Sequence, residues 1–256
     1  MPTIEQARTW YPNDPVHGFD HVLRVYHLAE HIAKIEGADI EIVRAAVLLH
    51  DVESDQVTVF SSQFSGSEQK VVSGEKEDGP ERAALTDPRD QFLDDPKKRL
   101  KKRKDHHLDA AEFADEVLRA EGWDEARIAA VCHCIRAHRF RDKREPPQTL
   151  EAQVVFDADK LDAIGATGVA RAIAYATRAN QPAYAPASQQ FIKTGELEPG
   201  EAHSAFHEHL FKLIKIKDCL FTSAGRRIAK ERHRFMCAYF DRLVEECASD
   251  NDRQIP

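Results

Sequence analysis

The stretch Ala45-Ala46-Val47-Leu48-Leu49-His50-Asp51 constrains this chain more than any other. Its apolar residues leave no polar face in a regular helix, so the rest of the fold must enclose the segment on all sides. An imidazole and a carboxylate then stand together at its end, where an apolar interior has no structural use for either. Elsewhere the apolar residues mostly recur three and four apart and β-branched alternation is nearly absent, which is the period of helices. The sequence therefore predicts an all-α protein with Ile40 to His50 as a central helix, opened by Asp39 as its N-cap.

The other helices follow from the same period. Thr3 to Trp10 forms a short leading helix, closed by the Tyr11-Pro12-Asn13-Asp14-Pro15 turn. Gly18 to Glu36 places Val22, Val25, Ala29, Ile32 and Ala33 on one inward stripe and stops at Gly37. Further helices are predicted at 108–120, 124–139, 149–164, 166–179, 201–217 and 223–246, with a proline- and glycine-bearing loop at 181–200. Between about 53 and 107 serine, glycine and charge dominate, so this segment reads as an insertion after the His-Asp doublet, poorly ordered or lid-like. The whole of 1–256 then reads as one domain, carrying that insertion and a C-terminal helical extension at about 201–248.

Composition narrows the classes. No apolar run approaches the ~20 residues of a bilayer span, and the N-terminus lacks a basic segment followed by an apolar one, which argues against membrane and secreted proteins. Five cysteines at irregular spacing, with no C-x-x-C pair, suggest neither a disulfide framework nor a zinc ribbon, and a reducing, cytoplasmic setting is expected. A formal charge of -8 argues against a nucleic-acid partner for the surface as a whole. The run Lys97 to Lys104, basic at every position but Leu100, is the one feature suited to nuclear import or a polyanion. A homodimer is compatible with all of this.

Chemistry concentrates at His50-Asp51. Neighbouring helical side chains diverge by about 100°, so both reach one ion only if it sits beyond the helix end. His21 would come level with His50 if the preceding helix packs antiparallel. Asp159 interrupts the otherwise buried tract Val154-Val155-Phe156-Asp157-Ala158-Asp159-Lys160-Leu161-Asp162, and burying carboxylates without a cation is costly.

The ordered set His21, His50-Asp51 and Asp159, with Cys132 to Phe140, Leu213 to Asp218 and Arg232 to Met236, resembles the HD-domain metal-dependent phosphohydrolases, in their stand-alone branch. The resemblance covers nearly everything outside 53–107. It implies a helical bundle in which His21, His50, Asp51 and Asp159 hold one divalent ion, which ligand type leaves among Mn, Fe, Co, Ni and Zn. It implies hydrolysis of a small phosphorylated metabolite, a nucleotide or pyrophosphate compound, by a metal-activated water. Arg24, one turn after His21, and Lys160 are candidate phosphate contacts. His138 and His133 are candidate catalytic histidines; lying about 140° apart on a helix, they cannot both face the ion, and His138 is favoured. Asp162 reads as a buttress for a ligand.

Two departures stand out: Ser54 occupies a position that is acidic in many members, and His209 one that is often lysine. Two further readings compete. In one, His106 or His107 with His133 or His138 adds a second metal, as in dinuclear HD oxygenases or phosphodiesterases. In the other, the metal is structural and the protein only binds.

Overall fold

A computed structural model describes residues 1–12, 18–52, 96–139 and 144–247, with side chains omitted for 96–105. The described residues form helices and no strands: α1 (Ile4–Arg8), α2 (Phe19–Glu36), α3 (Ile40–Leu49), α4 (Pro96–Ala120), α5 (Glu125–Ala137), α6 (Leu150–Asp162), α7 (Gly165–Arg178), α8 (Gln189–Thr194), α9 (Ala205–Phe211) and α10 (Ser223–Cys247). A 3-10 turn over Leu213–Asp218 joins α9 to α10. None of them is long and apolar enough to cross a membrane.

The caps explain most boundaries. Thr3 and Gln6 close a capping box on α1, while Asp39, Asp124, Thr149, Ser188 and Ser204 each accept a backbone N–H at a helix start. Gly37, at φ 81°, ends α2 in the left-handed region that favours glycine and turns the chain back into α3.

Three expectations are corrected. The helix expected from Leu108 begins at Pro96, because proline suits a first helical turn and nothing in the lysine- and arginine-rich run that follows breaks a helix. The loop expected at 181–200 contains α8, set between the Ser188 cap and Gly195 at φ 76°. The single helix expected over 201–217 starts at Ala205 and gives way to the 3-10 turn after Phe211. Residues 53–95 of the expected insertion lie outside the described residues.

α3 is the centre of the bundle. Val43 and Ala45 through Leu49 have no exposure, and α3 packs against α2, α5, α6 and α4. α10 lies across α7 and α6, and its start is fixed by one buried carboxylate. Asp157 accepts from the backbone N–H of Phe221 (2.9 Å) and Thr222 (2.7 Å) and from Thr222 Oγ1 (2.7 Å). Burial pushes the Asp157 carboxyl up, against the pull of those donors. Gly225 completes the fit, since a Cβ there would lie 2.4 Å from Asp157 Oδ2. Gly225→Ala should therefore lower the unfolding free energy by about 1–3 kcal/mol through overpacking, read as a drop in the urea midpoint at unchanged slope.

Candidate metal centre

The centre is assembled from helix ends. α2 and α3 form an antiparallel hairpin, so His21 at the start of one meets His50 just past the end of the other, their rings 5.7 Å apart. Asp51 follows His50, and Asp159 enters from the last turn of α6. His21 Nε2 lies 3.3 Å from Asp159 Oδ1 and 3.8 Å from Asp51 Oδ2. His50 Nε2 lies 3.5 Å from Asp51 Oδ2 and 4.0 Å from Asp159 Oδ1. Each of the two imidazoles thus lies within 4.0 Å of an oxygen of both Asp51 and Asp159.

Each imidazole is turned by its other nitrogen. His50 Nδ1 bonds Val47 O (2.8 Å) and His138 Nδ1 bonds Ile135 O (2.5 Å), both carbonyls that the last turns of α3 and α5 leave unpaired. His21 Nδ1 bonds Asp162 Oδ2 (2.7 Å). With a proton on each Nδ1, each Nε2 would offer its lone pair to a cation among the carboxylates, the tautomer a metal ligand requires. His50 Nε2 is buried and makes no hydrogen bond, an orphaned acceptor that a cation would satisfy.

Asp51 faces a second group with its other oxygen. Its Oδ1 lies 3.4 Å from His106 Nε2, on α4, and 3.5 Å from His138 Nε2. Among the described residues the potential metal-holding sets are His21, His50 and Asp51, and Asp51, His106 and His138. Asp51 belongs to both.

The charges follow from these contacts. Burial would raise the Asp51 carboxyl, but His50, His106 and His138 hold it well below the usual carboxylate range. Asp159 is likewise depressed against burial, by Lys160 and His21. Burial pulls His21 down, yet its hydrogen bonds to Asp159 and Asp162 raise it to about 9. His50 is lowered, chiefly by burial.

Asp162 and Asp159, three apart on α6, grip the two nitrogens of the His21 ring between them. Asp162 is itself clamped: Arg24 donates through Nε (2.8 Å) and Nη2 (3.1 Å), and Arg171 of α7 through Nη1 (2.6 Å). Arg24 therefore spends most of its fork on Asp162, with Nη1 outside that pairing. Lys160 pairs with Asp159 Oδ2 (2.5 Å) over the Phe156 ring.

His133 is not brought to Asp51: it bonds Glu145 Oε1 (2.7 Å) and the Gln148 backbone N–H (3.2 Å), consistent with its 140° offset from His138. His107 is buried beside Arg136, Arg144 and Glu145 rather than at Asp51. His209 is buried and stacked on Phe240 at 4.3 Å, with burial lowering it to about 4, so it packs rather than facing the centre. Ser54 and its acidic neighbours lie outside the described residues. Two supports were not legible in the sequence, because each is defined only by its partner in space. They are Arg171, and Tyr11, whose hydroxyl donates to Leu48 O (2.9 Å) at the end of α3.

Known proteins share this architecture. The HD domain family model matches residues 18–76 and 84–164, more than half of the chain. The uncharacterized protein YpgQ of Bacillus subtilis is 28% identical over 252 residues, covering 94% of this chain and 92% of that protein. A crystal structure of YpgQ in complex with ADP superposes with a TM-score of 0.59 at 25% identity, covering 96% of this chain and 99% of that one. An HD-superfamily hydrolase from Bacillus thuringiensis shares the fold with a TM-score of 0.57 at 23% identity, covering 96% of this chain and 97% of that one.

Two outcomes test the centre. Asp162→Ala removes the anchor of His21 and should weaken Mn²⁺ binding by about 10–100-fold in calorimetric titration, with helicity retained. In the metal-free protein, His21 is raised from 6.5 to about 9, so its contribution to stability is complete below pH 6.5 and is lost as pH rises through 9. The melting temperature in EDTA should fall across that window, and His21→Gln should flatten the fall.

Proposed function

This chain belongs to the HD-domain family, and from that premise we propose that it is a metal-dependent phosphohydrolase acting on a small phosphorylated metabolite, a nucleotide or pyrophosphate compound, in the reducing interior of a cell. The observation that carries this reading is the convergence of His21, His50, Asp51 and Asp159, with the buried Nε2 of His50 lacking any partner. Mixed imidazole and carboxylate ligation suits a divalent Mn, Fe, Co, Ni or Zn ion. When bound, such an ion lowers the pKa of water and neutralises charge that builds on a phosphoryl group.

The chain's own groups supply the rest. Lys160, at the edge of the carboxylates, and the Nη1 end of Arg24 are the cations that would orient phosphate oxygens. His138, its Nδ1 proton held by Ile135 O, would take up at Nε2 the proton that the attacking water releases. The P–O bond opposite the water breaks, and that proton leaves with the departing oxygen. The complex of YpgQ with ADP supports a nucleoside phosphate as the ligand. The reading places catalysis in one domain spanning 1–256, with the helices beyond the family match as its extension.

A second reading has its own observation. The two oxygens of Asp51 face separate histidine groups, the arrangement a carboxylate bridging two metals would have. That favours a dinuclear phosphodiesterase or oxygenase, with His106 and His138 as ligands.

A panel of nucleotides, sugar phosphates and pyrophosphates assayed with Mn, Co, Ni, Mg and Zn should show phosphate release by the wild type and only background by His50→Ala. Equal release by the variant would refute hydrolysis at this centre. Metal analysis separates the readings: one equivalent per chain supports the first, and two equivalents, lost to one in His106→Ala, support the second.

A further inference from the structure

The outer face of α10 carries a charge order that works against its own helix. Its inner face, Ala224, Gly225, Ala229, Met236 and Phe240, is buried in the bundle. The opposite face centres on Ala238 and exposes Arg227, Glu231, Arg234, Phe235 and Arg242, with Phe235 at 52% and neighbouring Tyr239 at 37% exposure. Cations dominate the N-terminal half, through Arg226, Arg227, Lys230 and Arg234. Acids dominate the C-terminal half, through Asp241, Glu245 and Glu246, against Arg242 alone. The helix macrodipole prefers the reverse, acids near the N-terminus and cations near the C-terminus. No acid stands in the first turn and no base in the last.

A second α10 lying antiparallel would relieve both defects, laying each basic half on an acidic half and covering Phe235. We infer that α10 is the interface of a twofold homodimer, with the axis passing between Phe235 and Ala238. That register sets Arg227 against Glu246 of the second copy, Glu231 against Arg242, Arg234 against the Tyr239 ring and Phe235 against Ala238. Such a contact is self-complementary, as twofold symmetry requires. Ala238, a single methyl at the centre, lets the helices approach. Moving either helix by about one turn sets Arg227 against Arg242, or Glu231 against Glu245 and Arg234 against Arg242, and parallel packing sets Arg227 against itself. Like charges thus disfavour these neighbouring registers and the unstaggered parallel pair. Within one chain Arg242 contacts Glu245 (3.3 Å) and Glu246 (2.6 Å) in exposed, weak pairs that an interface can rearrange.

Sedimentation velocity on the full chain tests this. The wild type should run at twice 29.0 kDa at micromolar concentration. Arg227→Glu, Glu246→Arg and Phe235→Ser, each with unchanged circular dichroism, should raise the dissociation constant by about tenfold or more. The double variant Arg227→Glu/Glu246→Arg should recover the dimer, because the reversed pair matches again across the axis. A monomeric wild type, single reversals that leave the dimer intact, or a double variant that stays dissociated would each overturn the proposal.

Discussion

The structure depends on two half-buried carboxylates, Asp51 and Asp159, held at the end of a helical bundle's core. Even partial removal of such groups from water is costly unless charge or hydrogen bonds answer them. Here the answer comes from four imidazoles and one lysine drawn from five helices or their ends. None of these groups could occupy its place in an all-apolar core, and none of the helices could shift by a turn without stranding a charge. The site therefore ties α2, α3, α4, α5 and α6 together at one end of the apolar core.

Helix ends supply the orientation. The last carbonyls of a helix have no partner within it, and α3 and α5 each give one to the histidine that immediately follows, Val47 O to His50 and Ile135 O to His138. Tyr11 takes a third, Leu48 O. The same hydrogen bonds that finish the helices thus set which ring nitrogen faces the carboxylates. His21 has no such carbonyl at the start of α2, and a carboxylate with two arginines takes that place.

Where a feature was legible in the sequence, a local rule sufficed. The enclosed α3, its cap at Asp39, the helix starts near Asp124 and Thr149, and the separation of His133 from His138 all follow from period and residue type. The convergence of His21, His50, Asp51 and Asp159 was legible as order and text along the chain, since spacing alone could not bring them together. What escaped was decided by distant partners or by competing local preferences. Asp162 could be read as a buttress, but its clamp by Arg171 could not, because an arginine on an amphipathic helix looks the same whether it meets solvent or a buried carboxylate. The segment before Leu108 read as a polar excursion, and only the continuous helix shows Pro96 as a first-turn residue.

The acids of α6 show how one helix carries several of these duties. Asp159 and Asp162, three residues apart, share a face and hold His21 from both sides. Asp157 stands about 200° around the helix from Asp159 and faces the start of α10 instead. The position of α10 is thereby tied to the same rigid element that presents the centre, and Arg232 of α10 adds a bond back to Leu161 O (2.6 Å). A force that displaced α10 would act on α6 within one turn of Asp159. The C-terminal helix is accordingly a structural extension of the site's own wall, and whatever covers its outer face bears on a helix that cannot move independently of the carboxylates.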